Sequence, residues 1–303
     1  MKPDSTQEAL IIATYSRQML LCLADSSQVR ARIKGKRLRP VCGDRVEAQP
    51  LPNEPEWLIT SILPRTNELT RPDNRGRTEI LAANLDLLVV VAAQAPPVDW
   101  FIVDRYLAAA ELMQISAMVV FNKTDLSGPS DSSAAALSDY AAIGYKTISC
   151  SATDGANVDQ LGTLLRGHTA IIVGQSGVGK SSLINRMLGD DKLRVREISA
   201  ATGEGRHTTV NSAMLTLPDG GSVIDSPGVR DYAPAIERPD DVIHGFREIR
   251  EVGHKCRFAN CRHLREPDCA VKSAVEDGQI SARRYESFRR LLSMSQELAD
   301  KRN

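Results

Sequence analysis

Gly174-Gln-Ser-Gly-Val-Gly179-Lys180-Ser181 decides the fold. The spacing GxxxxGK[ST] is that of a phosphate loop, and it stands where the mechanism requires, after the apolar run Ala170 to Val173 and before a helix through Leu183, Ile184 and Met187. Backbone N–H groups of Gly174, Gln175, Ser176, Gly177, Val178 and Gly179 can cradle phosphates at the helix N-terminus, continued by Ser182. Lys180 can reach the β and γ oxygens, and the Ser181 hydroxyl can ligate Mg2+.

Upstream, Asn122-Lys123-Thr124-Asp125 has the NKxD form and follows the apolar run Ala117 to Phe121. A carboxylate at Asp125 would accept from guanine N1–H and the exocyclic amine, whereas adenine would leave that charge unpaired. Ser151-Ala152, after the strand signal Tyr145 to Ser149, resembles the loop whose backbone N–H meets guanine O6. Downstream, Asp225-Ser-Pro-Gly228 has the DxxG form: Asp225 can hold Mg2+ through water and the Gly228 N–H can sense the γ-phosphate. Thr208 and Thr209 are candidates to complete the Mg2+ shell, with Thr209 favoured.

The order is inverted relative to a Ras-like GTPase, in which NKxD and SA come last. Here they precede the phosphate loop, so the domain reads as circularly permuted and the chain leaves from DxxG into its C-terminal helices. Further strand signals at Leu87 to Val91, Ala213 to Leu217 and Ser222 to Ile224 complete an α/β pattern with a mostly parallel sheet. Asp99 caps a helix towards Leu112, and Val158, Leu161, Leu164 and Leu165 mark another.

Before this core, Leu10 to Thr14, Met19 to Leu23, Val29 to Ile33, Asp44 to Ala48 and Trp57 to Ile62 predict a five-stranded OB-fold barrel. Arg30, Arg32, Lys34 and Lys36 alternate, which predicts four cations on one strand face and a phosphate-backbone footprint. After the core, Val242, Phe246 and Ile249, then Tyr285, Phe288 and Leu292, recur at helical spacing. Between them lie Cys256, Cys261, His263 and Cys269, three thiolates and an imidazole that form a closed tetrahedral set suited to structural zinc. His254 is an alternative ligand; Cys22, Cys42 and Cys150 are isolated and read as apolar fillers. With so few apolar residues, this last stretch needs the metal as a staple.

The resulting division is 1–71, 72–233 and 234–303. The whole chain of 303 residues has 38 Lys and Arg and 38 Asp and Glu. That zero conceals a surplus of three cations in the first part, five acids in the second and two cations in the third. No apolar run approaches the roughly 20 residues of a membrane span, and the polar start lacks a signal-peptide layout, so a cytoplasmic protein is expected.

Together these features resemble the ribosome small-subunit-dependent GTPase A (RsgA) family. The likeness runs from Leu38-Arg-Pro-Val-Cys-Gly43-Asp-Arg-Val and Pro64-Arg-Thr-Asn-Glu-Leu-Thr-Arg71, through Gly205-Arg-His-Thr-Thr209, to the cysteines. It implies GTP hydrolysis stimulated by the small (30S) subunit during late maturation, a 16S rRNA contact and a zinc domain; a monomer is expected. Val229 occupies the place of the water-orienting Gln of Ras-type enzymes, which makes His207 the candidate for that task. Thirteen aromatics in all predict RNA contacts mainly to phosphate and shape. Two rival readings are a non-enzymatic nucleotide-gated RNA-binding module and a P-loop ATPase or kinase.

Overall fold

Five short strands open the chain: β1 (Gln7–Thr14), β2 (Met19–Leu23), β3 (Gln28–Ile33), β4 (Arg45–Pro50) and β5 (Trp57–Ile62). Alternate residues point inwards, burying Ile11, Leu21, Ala31, Val46 and Ile59. The order β1-β2-β3-β5-β4, with β3 parallel to β5 and β4 returning to β1, closes the expected OB-fold barrel. The computed structural model describes residues 6–15, 18–35, 37–72, 78–126, 129–189, 212–225, 236 and 238–300; His207, Thr208, Thr209, Gly228 and Lys36 lie outside them.

The cationic strand face needs correction. β3 ends at Ile33, so Lys34 is not on it. Arg32 Nη2 donates to both carboxylate oxygens of Glu54 at 3.0 and 2.8 Å, so its charge faces solvent beside an acid.

Next comes a hairpin with no clear strand signal in its sequence, β6 (Glu68–Pro72) and β7 (Thr78–Ala83), which a cut between residues 71 and 72 would divide. The Val41 to Arg45 and Pro64 to Asn67 stretches join it to the barrel. Asp44, fully buried, accepts from Arg65 Nε and Nη2 at 2.7 and 2.8 Å and from the Val41 N–H at 2.8 Å. Asn84 Nδ2 donates to the Gly43 carbonyl at 2.9 Å. Gly43 has φ +92°, and a Cβ there would strike the Ala83 carbonyl, so only glycine allows β7 so near.

The central layer comprises β8 (Leu87–Ala93), α1 (Trp100–Met113), β9 (Ser116–Asn122), α2 (Asp131–Ala142), β10 (Lys146–Ser149), α3 (Val158–Leu165), β11 (Thr169–Gly174), α4 (Lys180–Leu188), β12 (Ser212–Thr216) and β13 (Ser222–Asp225). All seven residues of β8 are buried, as an apolar run without polar alternation requires. Leu88, Val90 and Ala92 face Tyr106 and Leu107 of α1; Val89, Val91 and Ala93 face Leu161 of α3 and Leu183 of α4. The order is β10-β9-β8-β11-β13-β12, parallel except for β12. Through Ala13↔Ala213 and Thr14↔Ser212, β12 also pairs with β1, so barrel and central sheet form one eleven-stranded sheet.

The C-terminal part holds a 3-10 helix (Pro239–Gly245), α5 (Arg247–Gly253), α6 (Ala270–Glu276) and α7 (Ala282–Asp300). The single helical spacing through Val242, Phe246 and Ile249 is broken at Phe246, whose φ −127° and ψ 101° are extended. Nor is this part short of core. Phe246, Ile249, Val271, Phe288 and Leu291 pack on Phe101 and Ala108, so α1 supplies apolar surface to both neighbours. Among the described residues no helix is long and apolar enough to cross a membrane.

Candidate nucleotide and metal sites

Parallel neighbours end on the same side, and the crevice outside those ends is where open α/β sheets bind ligands. β9 ends at Asn122, β11 at Gly174 and β13 at Asp225, while β10 leads to Ser151. The permuted order therefore still gathers NKxD, SA, the phosphate loop and Asp225 on one edge.

Asn122 is fully buried and joins two loops. Its Nδ2 donates to the Val178 carbonyl at 2.9 Å, and its Oδ1 accepts from the Ala152 N–H at 3.1 Å. The phosphate loop and the base loop are thus spaced by one amide side chain. Ser151 Oγ donates to Asp125 Oδ1 at 2.7 Å and orients that carboxylate. The Thr124 N–H donates to the Cys150 carbonyl at 3.2 Å, and Lys123 Nζ to the Ala95 carbonyl at 2.8 Å. Lys180 Nζ donates to the carbonyls of Gly174 and Gln175 at 2.6 and 2.7 Å, inside its own loop. Ser181 and Ser182, in the first turn of α4, are exposed.

Gln175 does something its motif position does not announce. Its Oε1 accepts from the backbone N–H of Asp99, the N-cap residue of α1, at 3.1 Å. The phosphate loop is therefore tied to the start of the helix that carries the C-terminal part.

Gly179 has φ +93°, and a Cβ there would collide with Asn122 Nδ2. Gly179→Ala is expected to push Asn122 off both partners. Strain of this kind costs about 1–3 kcal/mol, so GDP affinity should fall about ten- to hundred-fold, read by fluorescent-nucleotide titration.

At the metal centre, the ligand atoms of Cys256, Cys261, His263 and Cys269 lie within 4.8 Å of one another. His254 is not among them. Cys256 Sγ and Cys269 Sγ are each 3.5 Å from His263 Nδ1 and 3.9 Å from each other. A disulfide is excluded by that separation. Tetrahedral coordination at ordinary zinc bond lengths has edges of roughly 3.8 Å between sulfurs and roughly 3.6 Å between sulfur and nitrogen, so the donors fit a tetrahedral ion. Burial lowers the His263 pKa and favours the neutral, ligating imidazole; burial also pushes the Cys261 thiol up to about 12 in the absence of an ion.

Glu266 is a residue sequence reasoning missed. Its carboxylate accepts from the N–H groups of Arg262, Leu264 and Arg265 at 2.9, 2.9 and 3.0 Å. Burial alone would raise its pKa, but those N–H bonds outweigh it and hold the group at about 2. Tyr285 Oη donates to the His263 carbonyl at 2.6 Å, linking the knuckle to α7. Cys42 and Cys150 are fully buried, with thiols pushed up to about 12 by burial, in keeping with their reading as fillers.

Sheet order and motif order define a circularly permuted GTPase with a barrel before it and, after it, a helical unit whose Cys/His cluster could hold a metal ion. The sequence profile of the RsgA GTPase matches residues 62–234. The small ribosomal subunit biogenesis GTPase RsgA of Saccharophagus degradans is 38% identical over 301 residues, covering 95% of this chain and 87% of that protein. Its counterpart from Pseudomonas aeruginosa LESB58 is 40% identical over 293 residues, covering 96% and 86%. Among solved structures, YjeQ from Thermotoga maritima superposes with a TM-score of 0.74 at 27% identity, covering 96% of this chain and 99% of that one. YloQ, described as a circularly permuted GTPase, superposes with a TM-score of 0.73 at 26% identity, covering 97% and 96%. This chain belongs to the RsgA GTPase family.

Proposed function

We propose that this protein hydrolyses GTP on the small ribosomal subunit and acts late in that subunit's maturation, with hydrolysis stimulated by the subunit and timing the protein's release. The observation that carries the nucleotide reading is Asn122, which fixes the phosphate loop against the base loop through Val178 and Ala152. In this reading Asn122, Lys123, Thr124, Asp125, Ser151 and Ala152 hold guanine, and residues 174–182 hold the phosphates. Lys180 exchanges its loop carbonyls for phosphate oxygens when nucleotide enters. Ser181, Asp225 and one of Thr208 and Thr209 would hold Mg2+, which neutralises phosphate charge when bound; Gly228 would follow the γ-phosphate. The knuckle residues Cys256, Cys261, His263 and Cys269 would hold one structural zinc. The barrel and the knuckle are the arms that reach 16S rRNA, and the protein works as a cytoplasmic monomer. Family membership and the names of the relatives support the choice of particle.

Phosphate release measured with and without purified small subunits tests this. Stimulation of about ten-fold or more is expected, as for GTPases completed by a partner in trans, and excess ATP should not compete. No stimulation would favour the nucleotide-gated binding module; ATP competition would favour the ATPase. In this reading His207 positions the attacking water on the subunit. His207→Ala should lower the stimulated kcat about 10^2-fold and leave GDP affinity unchanged. Intact stimulated turnover in that variant would remove His207 from the mechanism.

A further inference from the structure

Three large apolar side chains stand exposed among the described residues: Leu126, Phe258 and Leu264, at 66, 41 and 37%. Leu126 adjoins Asp125 and belongs to the nucleotide edge. The other two lie on the metal knuckle, Phe258 two residues after Cys256 and Leu264 directly after His263. Because the ligand atoms converge within 4.8 Å, both side chains project from one tightly tied loop pair. Phe258 is further fixed at its backbone, where its carbonyl accepts from the Cys261 N–H at 3.1 Å. An exposed ring on a rigid support loses little freedom when a partner covers it.

The charge around the ring narrows the partner. Lys255, Arg257, Arg262 and Arg265 flank the ligands, against Glu266 and Asp268. Glu266 is turned into the backbone by its three N–H bonds, and Asp268 is used by Arg257 at 2.8 Å. Arg262 reaches only the neutral Gln296, at 3.1 Å, and Lys255 and Arg265 have no carboxylate partner among the described residues. The Arg257 guanidinium sits 5.5 Å from the Phe258 ring centroid. A single aromatic face in a cationic field suits a flat base attached to phosphate better than an apolar protein side chain, which would gain nothing from the charge.

We infer that Phe258 is a stacking platform for an unpaired RNA base, with Arg262 and Arg265 engaging the adjoining phosphates. This rests on the reading that the protein works on an RNA particle, and it adds a base contact to the expectation that its RNA contacts are mainly to phosphate and shape.

The test uses the full-length, zinc-loaded protein as wild type, Phe258→Leu and Phe258→Tyr. Leucine keeps the apolar bulk without a π-face; tyrosine keeps the face. Binding is measured to a fluorescein-labelled uridine dodecamer by anisotropy and to small subunits by pelleting with a non-hydrolysable GTP analogue. Ultraviolet crosslinking and digestion then identify what residue 258 touches. Phe258→Leu should weaken both affinities roughly ten-fold or more, Phe258→Tyr by less than about two-fold, with equal zinc content throughout. Wild-type affinity of Phe258→Leu for both probes, or a crosslink from residue 258 to a ribosomal protein, overturns the inference and leaves the GTPase reading standing. Phe258-dependent binding of the oligonucleotide by a protein that fails to pellet with subunits would do the reverse.

Discussion

Removing the metal with a chelator, or replacing Cys269 by Ser, is expected to unfold residues 254–269 and little else. Structural zinc contributes about 10–16 kcal/mol of apparent folding free energy in small metal domains at neutral pH, and this knuckle has few other sources. Phe258 and Leu264 are exposed, and local bonds such as those of Glu266 to three backbone N–H groups depend on the same turn being held. Outside the knuckle the situation differs, because α7 also packs with Phe101 and Ala108 of α1 through the buried Phe288 and Leu291. Hydrogen exchange should therefore show protection lost over 254–269 and at the start of α7, where Tyr285 holds the His263 carbonyl. Protection across β8, β9 and β11 should be kept, along with GDP binding. Retained protection in the metal-free knuckle would show that its fold stands without an ion.

The elements most legible in the sequence were those in which a local signal and a tertiary role coincide. The β8 run is continuously apolar because both of its faces are covered, and the phosphate loop announces itself because chemistry fixes its residues. Asp99 could be read as a helix start because a cap acts within three residues; its side chain accepts from the Phe101 N–H. The hairpin β6–β7 was illegible for the opposite reason. It is held by distant side-chain bonds, such as Asn84 to the Gly43 carbonyl, and the residues that make them look like loop residues. The same holds for the β1–β12 pairing, a backbone contact between sheet edges that leaves no mark on composition. In the candidate site, NKxD and GxxxxGKS pointed to residues that gather on one edge of the sheet, but not to the turn of Gln175 towards α1. The C-terminal core was underestimated because its apolar residues are spread over several short elements and it is completed by Phe101 and Ala108 of α1, a helix already assigned to the central layer.

Arg284→Ala is expected to destabilise the protein by about 3–5 kcal/mol, the usual result of deleting one member of a buried ion network. Arg284 is 1% exposed and stands between two elements. Its Nε and Nη2 donate to Glu248 of α5 at 2.8 and 3.0 Å, and its Nη1 donates to Asp104 of α1 at 2.9 Å. Burial alone would favour loss of its proton, but Asp104 and Glu248 outweigh that and keep it charged. The guanidinium also lies 4.6 Å from the Phe246 ring centroid. Alanine would leave two buried carboxylates with their remaining partners only: Tyr140 Oη at 2.6 Å and Arg283 Nη1 at 3.0 Å for Asp104. Arg283 is a quarter exposed and shares Asp104 with Arg284 and Tyr140, so Arg283→Ala should cost less than Arg284→Ala. Replacing Arg284, Asp104 and Glu248 together by Met, Leu and Leu should recover only part of the loss, because Arg283 and the buried Tyr140 hydroxyl then lose Asp104. Urea unfolding followed by far-ultraviolet circular dichroism reads all three. For Arg284→Ala the C-terminal helices should melt before the central sheet, since this network joins α7 and α5 to α1; one transition at the wild-type midpoint would show that apolar packing on Phe101 and Ala108 suffices by itself.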